Sequence, residues 1–307
     1  MTEDAVLITG VNGLLGRAVQ DALERAGRQT IGLDRTPSDR PQNRLCDLTD
    51  VHRLYAATRD CDISAVVQCG GLSGPMLSRD NPPALINTNV GGMLNVLELA
   101  RALAIPKFIH CSSAGVYGTT RDNDVTEEHP TVPSDMYGAS KLCGEVLADS
   151  YARLFGLQVV NLRFCWIYGP RRTTPCVIRK MLQHALQGTE CRIPFGKGFH
   201  RQFVYIDDAV DAIIAALGPT APRSSTYNIS SGEYHTLDAV AAMLREAFPS
   251  VRITLGDGPD PEDDIQQRFN IERAVRDLNY KPKITLPIGI RLYAEWLAQT
   301  AQQTQVA

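Results

Sequence analysis

The sequence predicts an α/β fold in which a doubly wound parallel sheet is accompanied by a smaller C-terminal lobe. In the first half, short apolar runs alternate with longer amphipathic segments, the pattern of repeated β-α-β units. Several short runs are apolar throughout, as expected for strands covered by helices on both faces. After residue 170 the pattern loosens into proline-rich and glycine-rich loops, which indicates a separate lobe.

Each element of the first half can be placed in chain order. Strands are predicted from apolar runs at 5–9, 29–33, 65–69, 107–112 and 159–164. Helices are predicted from longer amphipathic segments at 14–26, 85–103 and 136–155. We expect residues 1–165 to form the first domain, with 203–216 returning to it. Residues 166–307 are expected to form mainly the second, substrate-binding lobe.

Composition argues against several classes of function. The 307 residues carry a formal net charge of −3, with a pI of about 6.1, so neither nucleic acid nor an anionic membrane is an expected partner. The chain runs almost at once into a strand and has no apolar stretch of about 18 residues, so we expect no signal peptide and no membrane span. Eight scattered cysteines without a Cys-x-x-Cys pair indicate a reduced, cytoplasmic protein. The six histidines lack ligand spacing, so no metal site is expected.

A glycine-rich segment, Gly10-Val-Asn-Gly13-Leu-Leu-Gly16, separates the first strand from the first helix. Glycine there permits a tight turn and lets the backbone approach a pyrophosphate at the helix N-terminus. Asp34, at the end of the second strand, is placed to accept hydrogen bonds from the adenosine ribose and would repel a 2′-phosphate. The combination predicts a Rossmann sheet that binds NAD rather than NADP. Arg35 is the competing feature, because its guanidinium could bind the 2′-phosphate of NADP. The alternative is that Arg35 is simply exposed to solvent.

Tyr137 and Lys141 stand four residues apart in a predicted helix, so the phenol and the ammonium share one face. A neighbouring cation favours the ionised phenol, the form that a general base needs at neutral pH. A lone Tyr-x-x-x-Lys is usually a solvated helix surface. Here it follows a predicted dinucleotide site, which favours the catalytic interpretation.

Four further segments recur in order with these motifs. They are Cys46-Asp47-Leu48, the Cys111–Gly118 segment CSSAGVYG, the Arg163–Pro170 segment RFCWIYGP and the Arg201–Asp208 segment RQFVYIDD. Together with the glycine motif and Tyr-x-x-x-Lys, they resemble the extended short-chain dehydrogenase/reductase family, also called the NAD-dependent epimerase/dehydratase family. The resemblance covers nearly the whole chain and is closest to sugar 4-epimerases.

The resemblance implies that Ser113, Tyr137 and Lys141 are catalytic. Tyr137 would exchange a proton with a substrate hydroxyl, Lys141 would hold the nicotinamide ribose, and Ser113 would hydrogen-bond the reacting oxygen. Ser112 is the competing serine. The implied NAD contacts are Gly10, Asn12, Gly13, Leu14, Leu15, Gly16, Asp34, Arg35, Asp47, Leu48, Cys69, Gly70, Gly71, Asn89, Tyr137, Lys141 and Phe164.

Ala114 and Gly115 narrow the expected reaction. Similar dehydratases carry an Asp-Glu pair at these positions, and similar decarboxylases keep the glutamate. Neither alanine nor glycine can move a proton, so we expect epimerisation through transient oxidation of a carbinol by hydride transfer to NAD. Two alternatives stay open: an NAD-dependent dehydrogenase of a sugar or sugar acid, and a catalytically idle NAD-binding redox sensor.

The substrate is less closely defined by the sequence. The expected substrate contacts are Ser73 in the loop 71–76, Ser113, Trp166 and Arg201. Trp166 replaces an asparagine that contacts the diphosphate of nucleotide sugars in the family, and Asp260 aligns near a diphosphate-binding arginine. Both changes disfavour a diphosphate, but Arg201 matches a phosphate-side arginine, and Arg268 or Arg192 could compensate. Trp166 either packs in the protein or stacks on a sugar, so a sugar and a nucleotide sugar both stay open.

The resemblance also implies an assembly. Family members commonly dimerise by packing two helices from each subunit into a four-helix bundle. The matching helices here are those predicted at 85–103 and 136–155. Their apolar content is compatible with a homodimer, although packing within one subunit explains it equally well.

Overall fold

A seven-stranded parallel sheet lies at the centre of the computed structural model, which describes residues 5–74, 81–121, 124–218 and 225–306, the last four without side chains. The strands are β1 (Ala5–Thr9), β2 (Thr30–Asp34), β3 (Asn43–Leu45), β4 (Ile63–Gln68), β5 (Lys107–Ser113), β6 (Gln158–Phe164) and, from the C-terminal half, Thr226–Ile229. The first six lie in the order β3-β2-β1-β4-β5-β6, and Thr226–Ile229 adds beyond β6. All neighbouring strands are parallel. This is the doubly wound Rossmann order, as predicted.

Helices cover both faces of this sheet. The helices of the first half are α1 (Leu14–Arg25), α2 (Val51–Ala56), α3 (Pro82–Ile86), α4 (Gly92–Ala102) and α5 (Met136–Phe155). Successive residues of a strand point to opposite faces. In β1, Val6 and Ile8 therefore join one apolar core, while Leu7 joins a second core beneath α4.

The predicted helix at 85–103 is interrupted. Between α3 and α4, residues Asn87–Gly91 form a π-helical segment with a wider turn. Such segments often mark functional positions, and this one carries Asn89, which is buried among polar contacts. The helix thus begins and ends near its predicted limits but contains a π-helical segment between its two α-helical parts.

The C-terminal half forms a second lobe and also contributes to the first. Its remaining strands are β7 (Trp166–Tyr168), β8 (Cys191–Lys197), β9 (His200–Arg201), β10 (Phe203–Tyr205), β11 (the Thr226–Ile229 strand of the main sheet), β12 (His235–Thr236) and β13 (Ile253–Asp257). Its helices are α6 (Val177–Gln187), α7 (Ile206–Ala216), α8 (Leu237–Ala247), α9 (Glu272–Leu278) and α10 (Leu286–Val306). Helices α6, α8 and α10 surround a third apolar core, whereas α7 packs on α1 and α9 packs on β11.

Three small strand pairs complete the lobe. Strand β7 pairs with β10, β9 with β12, and β8 with β13. Because β7 follows β6 after only one residue, it carries Trp166 directly away from the carboxyl edge of the main sheet. None of the helices within the described ranges combines the length and apolarity that crossing a membrane requires.

Candidate active site

The turn between β1 and α1 brings two backbone segments into close contact. Gly10 has a φ of +65°, and a Cβ there would lie 2.7 Å from the Cα of Gly70, which follows β4. A Cβ on Gly16 would lie 2.2 Å from the Gly10 carbonyl oxygen. Only glycine fits both positions, since real Cβ atoms do not approach this closely. The turn therefore lies in the crevice between β1 and β4, where the strand order reverses and where doubly wound sheets bind ligands.

Helix α1 begins at this turn with its amide groups available. Gly13 is its N-cap residue, and no side chain of the described part of the chain caps it. Uncapped N–H groups and the positive end of the helix dipole suit a pyrophosphate. Leu14 and Leu15 form the first turn and are half-buried. The residues present therefore fit the phosphate part of a dinucleotide.

Asp34 stands at the carboxyl end of β2 with most of its acceptor capacity occupied. Its Oδ1 accepts hydrogen bonds from the Thr36 amide (2.9 Å) and hydroxyl (2.7 Å), and its Oδ2 accepts one from the Asn12 amide (3.0 Å). Since each oxygen has two lone pairs, Oδ2 keeps one for a ribose hydroxyl. Arg35 beside it is exposed. The geometry suits an unphosphorylated ribose.

Three predicted contacts continue around the edge of the sheet. Asp47 accepts hydrogen bonds from the Thr49 amide (2.9 Å) and hydroxyl (2.8 Å), and these bonds lower the pKa of its carboxyl. Leu48 is buried, and its side chain would lie 2.7 Å from a Cβ on Gly70. The small residue at Gly70 thus leaves Leu48 in place beside the crevice.

Asn89 fixes the loop that follows β4. Its amide oxygen accepts from the Leu72 amide (2.8 Å), and its nitrogen donates to the Leu72 carbonyl (3.0 Å) and to the Ser140 hydroxyl (2.9 Å). Ser140 lies on α5 between Tyr137 and Lys141. A Cβ on Gly71 would lie 2.9 Å from the Asn89 oxygen. The predicted cofactor loop and the predicted catalytic helix are therefore tied through one side chain.

Two other predicted residues lie near this loop. Cys69 is half-buried, and its sulfur lies 3.5 Å from that of Cys111. Ser73 is exposed, and residues 75–76 of the expected substrate-side loop fall outside the described ranges.

Ser113, Tyr137 and Lys141 converge at the carboxyl end of β5. A Cβ on Gly115 would lie 3.4 Å from the Ser113 hydroxyl oxygen and 4.0 Å from Cδ1 of Tyr137, so both side chains border the same space. The Lys141 ammonium lies 5.9 Å from the centre of the Tyr137 ring and donates to the Cys111 carbonyl (2.8 Å). Asp135 caps α5 by accepting from the Gly138 amide at 2.6 Å, which fixes the first turn that carries Tyr137. Phe164, at the end of β6, is buried nearby.

Glu145 is a residue of this site that sequence reasoning missed. Its carboxylate accepts hydrogen bonds from the Ser112 hydroxyl (2.5 Å) and from Arg163 Nε (2.9 Å) and Nη2 (2.7 Å), all buried. Ser112 is therefore engaged on the inner side, which leaves Ser113 as the serine at the open end. The available signal was spacing, because Tyr137, Lys141 and Glu145 follow one another at intervals of four on one helix face.

On the side of the C-terminal lobe, Trp166 contacts charged side chains. Trp166 is half-buried, and the guanidinium of Arg201 lies 4.5 Å from its ring centre. Its indole nitrogen donates to Asp263 Oδ2 (3.0 Å), and Arg201 Nη2 contacts Asp263 (2.6 Å) and Asp260 (2.8 Å). Burial raises the pKa of the Asp263 carboxyl, and the charge of Arg201 opposes that rise. Trp166 and Arg201 thus both lie beside the site, and Asp260 pairs with Arg201.

Gln266 was also missed by sequence reasoning. Its side-chain nitrogen donates to the carbonyls of Ala114 (2.9 Å) and Gly118 (3.3 Å). It therefore joins the C-terminal lobe to the segment that directly follows Ser113. No sequence signal marks this residue, because the contact depends on the path of an irregular loop.

Comparisons with known proteins agree with this geometry. The chain is similar to UDP-glucuronate 4-epimerase 4 of Arabidopsis thaliana (28% identity, covering 95% of this chain and 74% of the relative). It is also similar to UDP-glucose 4-epimerase of Mycolicibacterium smegmatis (28% identity, covering 96% and 99%). Among solved structures, UDP-glucose 4-epimerase of Thermotoga maritima with UDP-glucose superposes with a TM-score of 0.86 at 25% identity, covering 97% and 99%. The Thermus thermophilus UDP-glucose 4-epimerase complex with NAD superposes with a TM-score of 0.85 at 24% identity, covering 96% and 99%, and supports the fold.

A family model provides the broader match. The model of the NAD dependent epimerase/dehydratase family matches residues 6–230, which include the glycine turn, the Tyr-x-x-x-Lys helix and, except for Ala5, the seven strands of the main sheet. The match confirms the family inferred from the sequence motifs and confirms NAD as the cofactor class. The chain belongs to the NAD-dependent epimerase/dehydratase family.

Proposed function

We propose that this protein is an NAD-dependent sugar epimerase of the 4-epimerase type. The observation that carries the proposal is the shared space bordered by Ser113 and Tyr137, with Lys141 on the same helix face and the glycine turn at the neighbouring strand edge. Relatives named as 4-epimerases cover almost the whole chain and support the same reaction.

In this proposal each side chain has one task. Tyr137 takes the proton from a substrate hydroxyl and later returns it. Ser113 hydrogen-bonds the reacting oxygen and stabilises its developing charge. Lys141, held by the Cys111 carbonyl, places a positive charge 5.9 Å from the centre of the Tyr137 ring. NAD, when bound, supplies the group that accepts and returns the hydride.

Ala114 and Gly115 support epimerisation over elimination. Elimination of water from a sugar requires an acid or base in addition to the tyrosine. Ala114 is buried and apolar, and its carbonyl is occupied by Gln266. Gly115 has no side chain and leaves room for the substrate instead. Ala114 and Gly115 therefore supply no additional acid or base. The reaction left to the other residues of the site is hydride and proton exchange at one carbinol.

Incubation of NAD-saturated protein with sugars and UDP-sugars tests the proposal against its alternatives. An epimerase converts one sugar into its epimer without net formation of NADH. A dehydrogenase accumulates the near-ultraviolet absorbance of NADH, and a redox sensor does neither. We expect the first result, followed by chromatography of the sugars and absorbance of the cofactor.

The variant Tyr137→Phe isolates the proton transfer. It keeps the ring and removes the hydroxyl, so we expect turnover to fall by about 10²–10⁴-fold, the usual contribution of a general acid–base group. NAD affinity should stay close to that of the wild type. Turnover that is retained in full would exclude Tyr137 as the acid–base residue.

We also infer a homodimer formed through α4 and α5. Leu94 on α4 and Val146, Leu154 and Phe155 on α5 are between 42% and 74% exposed, which is unusual for large apolar side chains and typical of an interface. Sedimentation velocity should give a dimer for the wild type and a shift towards monomer for Val146→Asp. Leu186→Asp on α6 changes an equally apolar exposed side chain and should stay dimeric. A monomeric wild type would contradict the inference.

A reducing, cytoplasmic location is part of the same proposal. All eight cysteines lie within the described ranges and all are free thiols. Several are buried between strands and helices, where they pack as small apolar side chains. Thiol labelling under denaturing conditions, on protein from freshly lysed cells, should modify all eight cysteines; protected cysteines would contradict this location.

A further inference from the structure

Two half-buried arginines near the site are held by backbone carbonyls rather than by carboxylates. Arg172 lies in the loop between β7 and α6, and Arg179 lies in the first turn of α6. Within the part of the chain that the structure describes, Arg172 donates to the carbonyls of Ile167 and Pro175, and Arg179 donates to the carbonyl of Arg172. A carbonyl fixes a guanidinium in place but does not cancel its charge. We call Arg172 and Arg179 the arginine pair.

The arginine pair lies beside the reacting position, on the side of the C-terminal lobe. The Arg172 guanidinium is 5.3 Å from the centre of the Trp166 ring. Strands β5 and β6 pair so that Phe164 stands opposite Ser113, and Trp166 follows two residues later. Two residues of extended chain span about 7 Å, which is comparable to the width of one sugar ring. A group attached to a sugar that meets Ser113 can therefore reach the arginine pair.

Three buried donors at this place lack an acceptor. They are Nε of Arg172, Nε of Arg179 and the hydroxyl of Tyr293 on α10, none of which has a hydrogen-bond partner among the described residues. Burial raises the pKa of the Tyr293 phenol to about 12, and the charges of Arg179 and Arg172 oppose that rise, so the phenol lies close to both guanidiniums. A buried donor is rarely left unpaired unless a ligand or water completes it. An oxyanion supplies the acceptors that these donors lack.

The start of α6 adds to the positive field. This helix has 11 residues, and its N-cap residue, Cys176, makes no capping hydrogen bond through its side chain. Uncapped N–H groups and the positive end of the helix dipole favour an anion. A cation in the first turn, such as Arg179, is unfavourable there unless an anion compensates it. Because a guanidinium can bind phosphate oxygens through two parallel N–H groups, a diphosphate suits this place.

The other arginines considered for a diphosphate are already paired with carboxylates. Arg201 contacts both Asp260 (2.8 Å) and Asp263 (2.6 Å), so one cation faces two anions. The remaining candidates are paired elsewhere: Arg268 with Asp124 (3.1 Å) and Arg192 with Glu190 (2.8 Å). The arginine pair therefore supplies the uncompensated positive charge beside Trp166.

We propose that the arginine pair of this protein holds the diphosphate of a nucleotide-sugar substrate while Ser113 and Tyr137 face the sugar. The inference rests on the proposed sugar-epimerase function and names its substrate class as nucleotide sugars. It assigns the diphosphate to Arg172 and Arg179, and it leaves Arg201 to hold the acidic segment 260–263 in place. The substrate class agrees with the relatives named for UDP-glucose and UDP-glucuronate.

Calorimetric titration of NAD-loaded protein with UDP tests the assignment. The wild type should bind UDP, and Arg172→Gln/Arg179→Gln should bind it at least about tenfold more weakly, because two charge-assisted contacts are lost. A matched control, Arg252→Gln/Arg291→Gln, removes two exposed arginines of the same lobe and should bind UDP as the wild type does.

Turnover of a UDP-sugar separates binding from chemistry. The arginine pair is assigned to a part of the substrate that does not react, so its contacts are the same in the ground state and the transition state. The variant Arg172→Gln/Arg179→Gln should therefore show a raised KM and a kcat close to that of the wild type. A lower kcat with an unchanged KM would contradict this role.

Three binding results would overturn the proposal. The first is a wild type that does not bind UDP up to millimolar concentration. The second is a double variant that binds NAD and keeps full affinity for UDP. The third is a double variant that loses affinity for free glucuronate but not for UDP, which would assign the pair to a sugar carboxylate. If the double variant fails to bind NAD, Arg179→Gln replaces it, since Arg172 then keeps its carbonyl contacts.

Failure of this inference and failure of the proposed function give different results. Epimerisation of a UDP-sugar by the wild type, with UDP affinity unchanged in the double variant, would remove the inference and keep the function. Binding of UDP that depends on the arginine pair, with no change in any UDP-sugar or free sugar, would keep the inference about the diphosphate and remove the function.

Discussion

Glu145 holds together the side chains on which the geometry of the active site depends. Its carboxylate joins Ser112 near the end of β5 to Arg163 near the end of β6. Arg163 in turn donates to the Tyr117 hydroxyl (2.9 Å), and burial raises the pKa of that phenol to about 12. Ser113 follows directly on Ser112. The position of Ser113, the proposed catalytic serine, is therefore set by a buried charge pair next to it.

Substitution of Glu145 by glutamine should destabilise the fold strongly. The change keeps the shape and leaves the Arg163 guanidinium buried without a counter-charge, which costs about 3–5 kcal/mol. Urea denaturation followed by circular dichroism measures this loss as a lower midpoint. Glu190→Gln removes one partner of an exposed pair with Arg192 and should leave the midpoint unchanged. Equal midpoints for the two variants would show that the buried pair contributes nothing.

At the scale of elements, the β1–α1 turn is the most constrained part of the cofactor site. Gly16 lies inside α1, where its missing side chain allows the helix to sit on the Gly10 carbonyl. Any side chain would push the helix N-terminus away from the crevice between β1 and β4. The absence of a Cβ atom at Gly16 thus determines where the helix dipole lies relative to a pyrophosphate.

The variant Gly16→Ala should weaken NAD binding by at least about tenfold, because its Cβ would lie 2.2 Å from a backbone oxygen and must displace it. Titration with NAD, followed by calorimetry, measures the change. Gly27→Ala at the other end of the same helix has open space around it and a φ of +77°. It should cost about 1 kcal/mol of stability and leave NAD affinity unaltered. Similar NAD affinity for both variants would refute the role of close approach.

Elements with strong local patterns were predictable, and others were not. Strand β1 is a run of five buried residues and α5 is a long amphipathic segment, so both agree with their predicted limits. Strand β11 has four residues, two of them polar, and joins the sheet only by pairing with β6, far away in the chain. The π-helical turn at Asn89 depends on contacts with Leu72 and Ser140. Such long-range contacts leave no periodic signal in the sequence.

The candidate active site likewise contains residues that a local sequence pattern marks and residues that only long-range contacts bring together. Glycine turns and a Tyr-x-x-x-Lys pair encode their chemistry locally, so the residues around the crevice and Ser113 were anticipated. The contact of Asp263 with Trp166 and the contact of Gln266 with Ala114 were not anticipated, because both residues belong to an irregular segment whose path is set by tertiary contacts. The sequence placed Asp260 near a family arginine, and the structure turns this into a direct ion pair with Arg201.

At the scale of the whole molecule, a buried histidine links stability to pH. His110 lies in β5 beneath α5, and burial, together with the charge of Lys141, lowers its pKa from 6.5 to about 3. The unfolded chain takes up a proton below about pH 6.5, whereas the folded chain does so only near pH 3. Stability contributed by neutral His110 is therefore present above pH 6.5 and is lost as the pH falls towards 3.

Denaturation between pH 7 and pH 4 tests this linkage. The wild type should lose up to about 1.4 kcal/mol per pH unit through this group alone. His110→Gln should show a shallower decline, whatever its stability at pH 7. His52→Gln, at an exposed position, should keep the slope of the wild type. Parallel curves for wild type and His110→Gln would contradict the buried-histidine argument.

The whole molecule places the crevice between β1 and β4, and the ion pairs of Arg201 with Asp260 and Asp263 in the C-terminal lobe, near Ser113. This arrangement predicts that the hydride removed from a carbinol returns to the same carbon without meeting water. The most direct measurement uses a sugar substrate that carries deuterium on the carbinol carbon, with mass spectrometry of the epimer formed by NAD-loaded protein. The account predicts full retention of deuterium in the wild-type product and formation of product by Tyr137→Phe that is slower by about 10²–10⁴-fold. Loss of deuterium to water would contradict it, because it would show removal of the carbon-bound hydrogen as a proton.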